Sequence, residues 1–466
     1  MRLGFETLGN ASLVFRENDR PVLGTDPWLT GTCYFGSWAL DRPLTPDELA
    51  VMQACEFLWI SHGHPDHFHT QSIKLLNTHQ KILLPDHYDP GIQHYLEHHG
   101  FPVEVMPYRA WKQLSPQIRV MCLDNENQDA ILLIEAGSNL VVNLNDSPLC
   151  GEAWFIRDLV SRYDRDRTYA AALCSNDADM FNLVDASGRR VVDPPEQRKP
   201  GMVWALARTM ESLGVGTYVS SASQHVYVRK DALWANPHRV GWSDVVRYWT
   251  RPAIRLVEPF VVLDLETGEY ERKHPEQTTD FSQITDATAD DDWSAGMTEA
   301  EWGKVGNFFR SIEILRPYMD YVEFTVGGET RRIWLTPNAE RRPPRRPRGI
   351  AFTAPAQSLL RSVDLGYFDT ILIGNFMTAR LENMGLYPHF TPIVAKLAGS
   401  SRVSTFAAWR KFRWRYFRRN PIGYMQWHAA EKLQQFGNVV RAVADRLYVK
   451  RPLKIMYRRW LGDPVT

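Results

Sequence analysis

Phe57-Leu58-Trp59-Ile60-Ser61-His62-Gly63-His64-Pro65-Asp66-His67 is the stretch on which the fold turns. Its first four residues form a short apolar run of the kind that makes a buried strand. At Ser61 the run gives way to a polar, histidine-rich segment that continues to His69. Two histidines two apart in extended chain project to the same side, so His62 and His64 can hold one metal ion. Asp66 and His67 follow where the chain turns and can hold a second ion beside it. Imidazole and carboxylate suit zinc, iron or manganese. Two ions roughly 3.5–4 Å apart need a shared anionic bridge.

Outward from this stretch, short strands and helices alternate over residues 1–230. Leu13-Val14-Phe15 and Pro21-Val22-Leu23 predict a hairpin about Asn18-Asp19. A helix is predicted over Gln71–Asn77 and strands over Lys81–Leu84, Ile118–Leu123, Ala130–Glu135 and Leu140–Leu144. Metal-ligating residues at strand ends within this rhythm suggest two sheets packed together and flanked by helices. Asp146, just past Leu140–Leu144, is the natural bridge between the ions. The second ion needs one more histidine, and His225, after the apparent strand Gly216–Val219, is preferred to its competitor His238. His69, His98 and His99 read as outer or surface residues.

Composition narrows the rest. The 466 residues carry 54 basic and 54 acidic side chains, so no global field steers the protein to nucleic acid or membrane. Cys33, Cys55, Cys122, Cys150 and Cys174 are odd in number and form no CxxC pair, which argues against disulfide frameworks, zinc ribbons and cysteine-held iron–sulfur clusters. They fit small core residues in a reducing cytoplasm, and a soluble cytoplasmic protein is expected.

The His62–His67 pattern is similar to the HxHxDH signature of the metallo-β-lactamase superfamily. Thr25-Asp26-Pro27-Trp28-Leu29-Thr30-Gly31, Ala110-Trp111-Lys112-Gln113 and Val142-Asn143-Leu144-Asn145-Asp146 resemble segments of the branch containing cytidine-monophosphate N-acetylneuraminate hydroxylase. The likeness covers most of residues 10–230 and continues weakly at Leu365–Asp369 and Ile373–Phe376. It implies a metallo-β-lactamase αββα sandwich over residues 1–290, followed by a C-terminal α+β extension over 291–466. Hydrolases of the superfamily present a third histidine just before the strand leading to the bridge. Here that region reads Leu123-Asp124-Asn125-Glu126-Asn127-Gln128-Asp129, without histidine.

A carboxylate at that place resembles the diiron monooxygenases of natural-product biosynthesis, such as the β-hydroxylase of chloramphenicol biosynthesis. That resemblance implies a first iron held by His62, His64, Glu126 and Asp146, and a second by Asp66, His67, Asp146 and His225. Asp124 is the next candidate after Glu126. A carboxylate adds negative charge and a hard donor, which favours iron over redox-silent zinc. The implied activity is oxygen-dependent hydroxylation of an unactivated carbon in antibiotic or other secondary metabolism. The substrate would be a small acid, or one carried on coenzyme A or a carrier protein. No Rieske-type Cys and His pairs occur, so electrons would come from an external reductase or ferredoxin. The alternative is a dinuclear zinc or manganese hydrolase of a phosphodiester, thioester or lactone.

Two further features stand outside this core. Tyr321–Val326 and Arg331–Leu335 flank Gly327-Gly328 as a hairpin, and the acidic Ala289–Trp293 marks a connection before it. Trp409–Arg419 is densely basic and aromatic. It reads either as a grip on substrate phosphates or an acidic carrier, or as an amphipathic helix with a buried aromatic stripe. Trp28, Tyr34, Phe35 and Trp38 are candidate pocket walls.

Overall fold

A computed structural model describes residues 2–174, 178–273 and 291–446. Two large sheets lie face to face. The first runs Tyr270–Arg272, Val261–Asp264, Leu3–Gly9, Ser12–Glu17, Arg20–Thr25, Phe57–Trp59, Lys81–Pro85, Val103–Met106 across its width. The second runs Arg255–Val257, Thr217–Ser220, Thr168–Ala172, Asn139–Asn145, Ala130–Ala136, Ile118–Asp124, Trp111–Gln113. Strand alternation explains how they are covered. Leu132, Ile134 and Val141 face inward to meet Phe5, Phe15 and Trp59, while Ile131, Leu133 and Val142 face outward to helices Ala153–Val160 and Pro195–Leu213. Leu58 and Ile82 of the first sheet face outward to Met52 and Leu96 on helices Pro46–Gln53 and Gly91–His98. Both faces of these strands are buried, which is why they read as continuous apolar runs. The result is an α/β sandwich of the αββα type.

The hairpin at Asn18-Asp19 is present, with both residues in the left-handed region (φ 51° and 62°) that a two-residue turn matching strand twist requires. The helix predicted over Gln71–Asn77 is shorter and earlier, at Thr70–Ile73, with His69 as its cap accepting from the Ser72 N–H. Past residue 291 a four-stranded sheet orders Glu329–Trp334, Tyr321–Val326, Gly349–Thr353, Thr378–Glu382. Its core is continuous with Trp28, Tyr34 and Trp38 of the N-terminal part, so this region packs onto the side of the sandwich that carries the histidines. The expected division at 290/291 borders residues 274–290, and Ala289-Asp290 lie outside the described residues. All five cysteines are buried and free. Among the described residues no helix is long and apolar enough to cross a membrane.

Trp409–Arg419 falls within helix Phe406–Arg419. Phe412 and Tyr416 are buried beside Tyr88, while Arg415 and Arg419 pair with Asp86 at 2.8 and 2.5 Å. Trp409 and Arg413 line an outer cavity. Phe412 and Tyr416 are thus core while Trp414 is exposed, and Arg415 and Arg419 already have protein partners.

Candidate metal centre

The parallel strand Phe57–Trp59 ends against Asp26, and the chain then turns across the rim of the sandwich. Asp26 is fully buried, and its carboxylate accepts from Ser61 N–H at 2.7 Å and Ser61 Oγ–H at 2.9 Å. It also accepts from His67 Nδ1 at 3.1 Å. Because the Ser61 hydroxyl donates to Asp26, its oxygen accepts from His62 Nδ1 at 2.9 Å. His64 donates through Nε2 to Asp369 at 2.9 Å. Each of the three rings therefore has one nitrogen tied down from behind and turns the other towards the site: Nε2 of His62 and His67, Nδ1 of His64. Fixing the tautomer of metal-binding imidazoles from behind is the usual role of such partners.

The freed donors converge. His62 Nε2 lies 2.9 Å from His64 Nδ1 and 3.7 Å from Asp146 Oδ2. The same Asp146 oxygen is 3.4 Å from His67 Nε2, which is 3.4 Å from Asp66 Oδ2. Donors sharing one ion at roughly 2.0–2.1 Å stand about 3–3.4 Å apart, so these separations fit ligand edges. Asp146 stands between the two pairs, where a bridging carboxylate belongs. His67 Nε2 and Asp146 Oδ1 are buried without a hydrogen-bond partner. Buried polar atoms are rarely left so, and a cation would satisfy both. The donor set fits metal ions.

Charge points the same way. Burial opposes protonation of His64, but the bond to Asp369 and the charges of Asp129 and Asp146 outweigh it and lift its pKa to about 9. In His67 the charges of Asp146, Asp66 and Asp26 likewise outweigh burial and hold the pKa well above normal. Burial would raise Asp66 and Asp146, yet the neighbouring histidines hold both below the usual carboxylate range. The acids make a negative well that protons fill when metal is absent.

His225 reaches the same cavity from the strand His225–Tyr227, which pairs with Trp38–Leu40. Its ring stacks on Trp38 at 3.6 Å, with 3° between planes, and its Nδ1 is buried without a partner. Burial, reinforced by Arg239, lowers its pKa to about 3, so the ring is neutral and able to bind metal. His238 instead packs on Phe181 and Trp234. Tyr34 donates to Asp66 Oδ1 at 2.5 Å and Asn10 to Asp66 Oδ2 at 3.0 Å. Asp26, Asn145 and Ala222 adopt left-handed backbone (φ 40°, 45° and 53°) at the turns that aim these groups, a local strain of the kind found at functional sites.

Glu126 requires a correction. It sits in the loop joining the antiparallel strands Ile118–Asp124 and Ala130–Ala136, and its carboxylate meets His428 Nε2 at 3.0 Å on helix Pro421–Arg446. It lines the outer cavity and is not among the donors around His62. The loop folds back on itself, with Asn127 N–H donating to Asn125 Oδ1 at 2.9 Å and Gln128 in the left-handed region. That turn sends Glu126 outward. Asp124 is held by Arg419. The acid that faces the site is Asp129, buried, lining the metal cavity and acting electrostatically on both His62 and His64. Of the proposed pocket walls, Tyr34 and Trp38 line that cavity, Trp28 is fully buried core, and Phe35 packs against Phe376.

No family model matches the chain. A protein named as a Rieske 2Fe-2S iron–sulfur protein from Mycobacterium tuberculosis (strain ATCC 25618 / H37Rv) is 24% identical over 153 residues, 30% of this chain and 29% of that protein. The cytidine monophosphate-N-acetylneuraminic acid hydroxylase of Danio rerio is 25% identical over 130 residues, 26% of this chain and 22% of its own. The matches thus span less than a third of those relatives. Among solved structures, isothiocyanate hydrolase from Delia radicum gut bacteria covers 58% of this chain and 98% of its own, at 12% identity and TM-score 0.39. The metallo-β-lactamase-fold protein YhfI of Bacillus subtilis covers 55% and 96%, at 13% identity and TM-score 0.34.

The sequence offered Tyr34 only as a pocket wall and gave Asp26, Asp129 and Asp369 no place in the site. Asp26 had a visible signal, an acid at the end of the strand neighbouring Phe57–Trp59. Asp26→Ala removes the group that orients Ser61 and His67. It is expected to weaken metal affinity by about 10–100-fold, the usual effect of losing such a partner. Competition with a chelator measures this, and unchanged affinity would contradict the role given to Asp26.

Proposed function

We propose that the chain is a dinuclear metal enzyme, and that it acts as an oxygen-dependent diiron monooxygenase hydroxylating an unactivated carbon of an acid-derived substrate. The observation that carries this reading is the company His62 and His64 keep. Asp146 groups with their ring nitrogens and Asp129 lines the same cavity, while the other imidazoles near His62 are engaged elsewhere, His67 with Asp26 and Asp66 and His87 with the Ser61 carbonyl. A carboxylate-rich set favours iron and its higher oxidation states. Two iron ions held by His62, His64, Asp129 and Asp146, and by Asp66, His67, Asp146 and His225, would supply oxygen activation and redox chemistry.

The chain's own residues do the rest. Asp26 and Asp369 hold the rings of His67 and His64, and Ser61 holds His62. Tyr34 fixes Asp66 and keeps its proton, because burial and the charge of Asp66 push the phenol well above its normal pKa. Tyr34, Trp38 and Phe181 wall a cavity of about 240 Å³ and limit the water around the reacting carbon. A larger cavity of about 680 Å³ shares Asn127, Pro148, Tyr387 and Lys396 with it and offers room for a carrier-bound or thioester-linked portion. Electrons would come from a separate reductase or ferredoxin.

The test is oxygen uptake by protein purified anaerobically and loaded with iron or zinc, supplied with a chemical reductant. Iron-loaded protein is expected to consume oxygen and change its visible absorption, and zinc-loaded protein to do neither. Zinc-loaded protein that hydrolyses a phosphodiester, thioester or lactone, with iron-loaded protein inert to oxygen, would assign the site to hydrolysis instead.

A further inference from the structure

Arg239 brings a positive charge into the wall of the metal cavity and finds no partner there. Its guanidinium makes no ion pair or side-chain hydrogen bond to any described residue, and Nε is shut off from water without an acceptor. The acid whose charge it feels most is Asp41, yet the two do not bond, and Asp41 Oδ1 is itself buried without a partner. Arg239 is partly buried, and the arginines buried outright are treated differently. Arg42 forks onto Glu48 at 3.0 and 2.6 Å, and Arg229 pairs with Asp231 at 2.8 Å and Asp291 at 2.9 Å. A charge partly withdrawn from water and left unpaired is costly, so an unpaired guanidinium facing a cavity marks a place where a ligand supplies the counter-charge.

The surroundings say what kind of ligand. Arg239 shares the cavity with Phe181, His225 and Tyr227 on one hand and with Asp129 and Asp146 on the other. Lys396 lines the same space, also without an ion pair among the described residues. The carboxylates of the centre would repel an anion in metal-free protein, and two divalent ions would cancel that repulsion. We propose that Arg239 is the specificity-determining anchor of this cavity, binding an oxyanion on the substrate, a carboxylate or a phosphate monoester, through its two-pronged guanidinium. This deepens the proposed reading by naming the substrate's recognition group, and it rests on that cavity being the reaction site.

The test uses full-length protein loaded with zinc, so that no redox turnover intervenes, and three probes of similar size: benzoate, phenyl phosphate and benzamide. Calorimetry is expected to show at least one anion binding about tenfold or more tightly than benzamide, in line with a hydrogen-bonded charge pair. The tighter anion identifies the oxyanion. Arg239→Gln is expected to lose that advantage while keeping the wild-type zinc content and benzamide affinity. Arg239→Met is the second variant, removing the charge without leaving a polar group unsatisfied should the glutamine fail to fold. Two results would overturn the proposal: neither anion binding wild type better than benzamide, or a folded variant keeping the full preference. Failure of the iron reading would appear instead as oxygen inertness of iron-loaded protein, leaving the probe comparison unaffected.

Discussion

Replacing Asp146 with asparagine is expected to leave the protein folded but holding at most one metal ion per chain, with activity reduced to near background. Asp146 Oδ2 stands near both halves of the cluster, 3.7 Å from His62 Nε2 and 3.4 Å from His67 Nε2. The amide keeps the shape of the side chain and removes its charge, so two cations would face each other without the anion between them. The loss should exceed the roughly 10–100-fold that follows removal of a group merely orienting a ligand. Elemental analysis of gel-filtered protein reads the metal count directly. Two ions per chain in Asp146→Asn would remove the bridge from the account.

The second large effect separates two acids a few residues apart. Asp129→Asn is expected to lower iron retention and suppress oxygen uptake, because it takes the hard anionic donor away from the His62–His64 ion. Asp129→His should go further, restoring a third imidazole, shifting the site towards zinc and abolishing the redox chemistry. Glu126→Gln should leave metal content at the wild-type value, since Glu126 is bonded to His428 and faces the outer cavity. The three variants are compared by iron-to-zinc ratio after growth in medium containing both metals. A reversed pattern, with Glu126→Gln losing iron and Asp129→Asn keeping it, would return the ligand role to Glu126.

The contrast between these two acids shows where sequence reading stops. Phe57–Trp59 followed by His62, His64, Asp66 and His67 could be read because strand period and ligand spacing are both local. The short unbroken apolar run in Ala130–Glu135 likewise revealed a strand. Between them, Asp124, Glu126 and Asp129 offer three carboxylates in a loop without periodicity. Which one faces inward depends on how the turn closes, with Asn127 bonding back to Asn125 and Gln128 in the left-handed region. Asp369 lies about three hundred residues from the histidine it orients, and only the packing of the C-terminal region onto the sandwich brings it there. Arg239 had no motif around it at all. Its interest comes from a missing partner, which sequence does not record.

The most direct measurement is anomalous diffraction at the iron edge from crystals of anaerobically iron-loaded protein. Two peaks are expected, one among His62, His64, Asp129 and Asp146, the other among Asp66, His67, Asp146 and His225. A single peak, or a first peak with a third histidine where Asp129 is placed, would contradict this assignment.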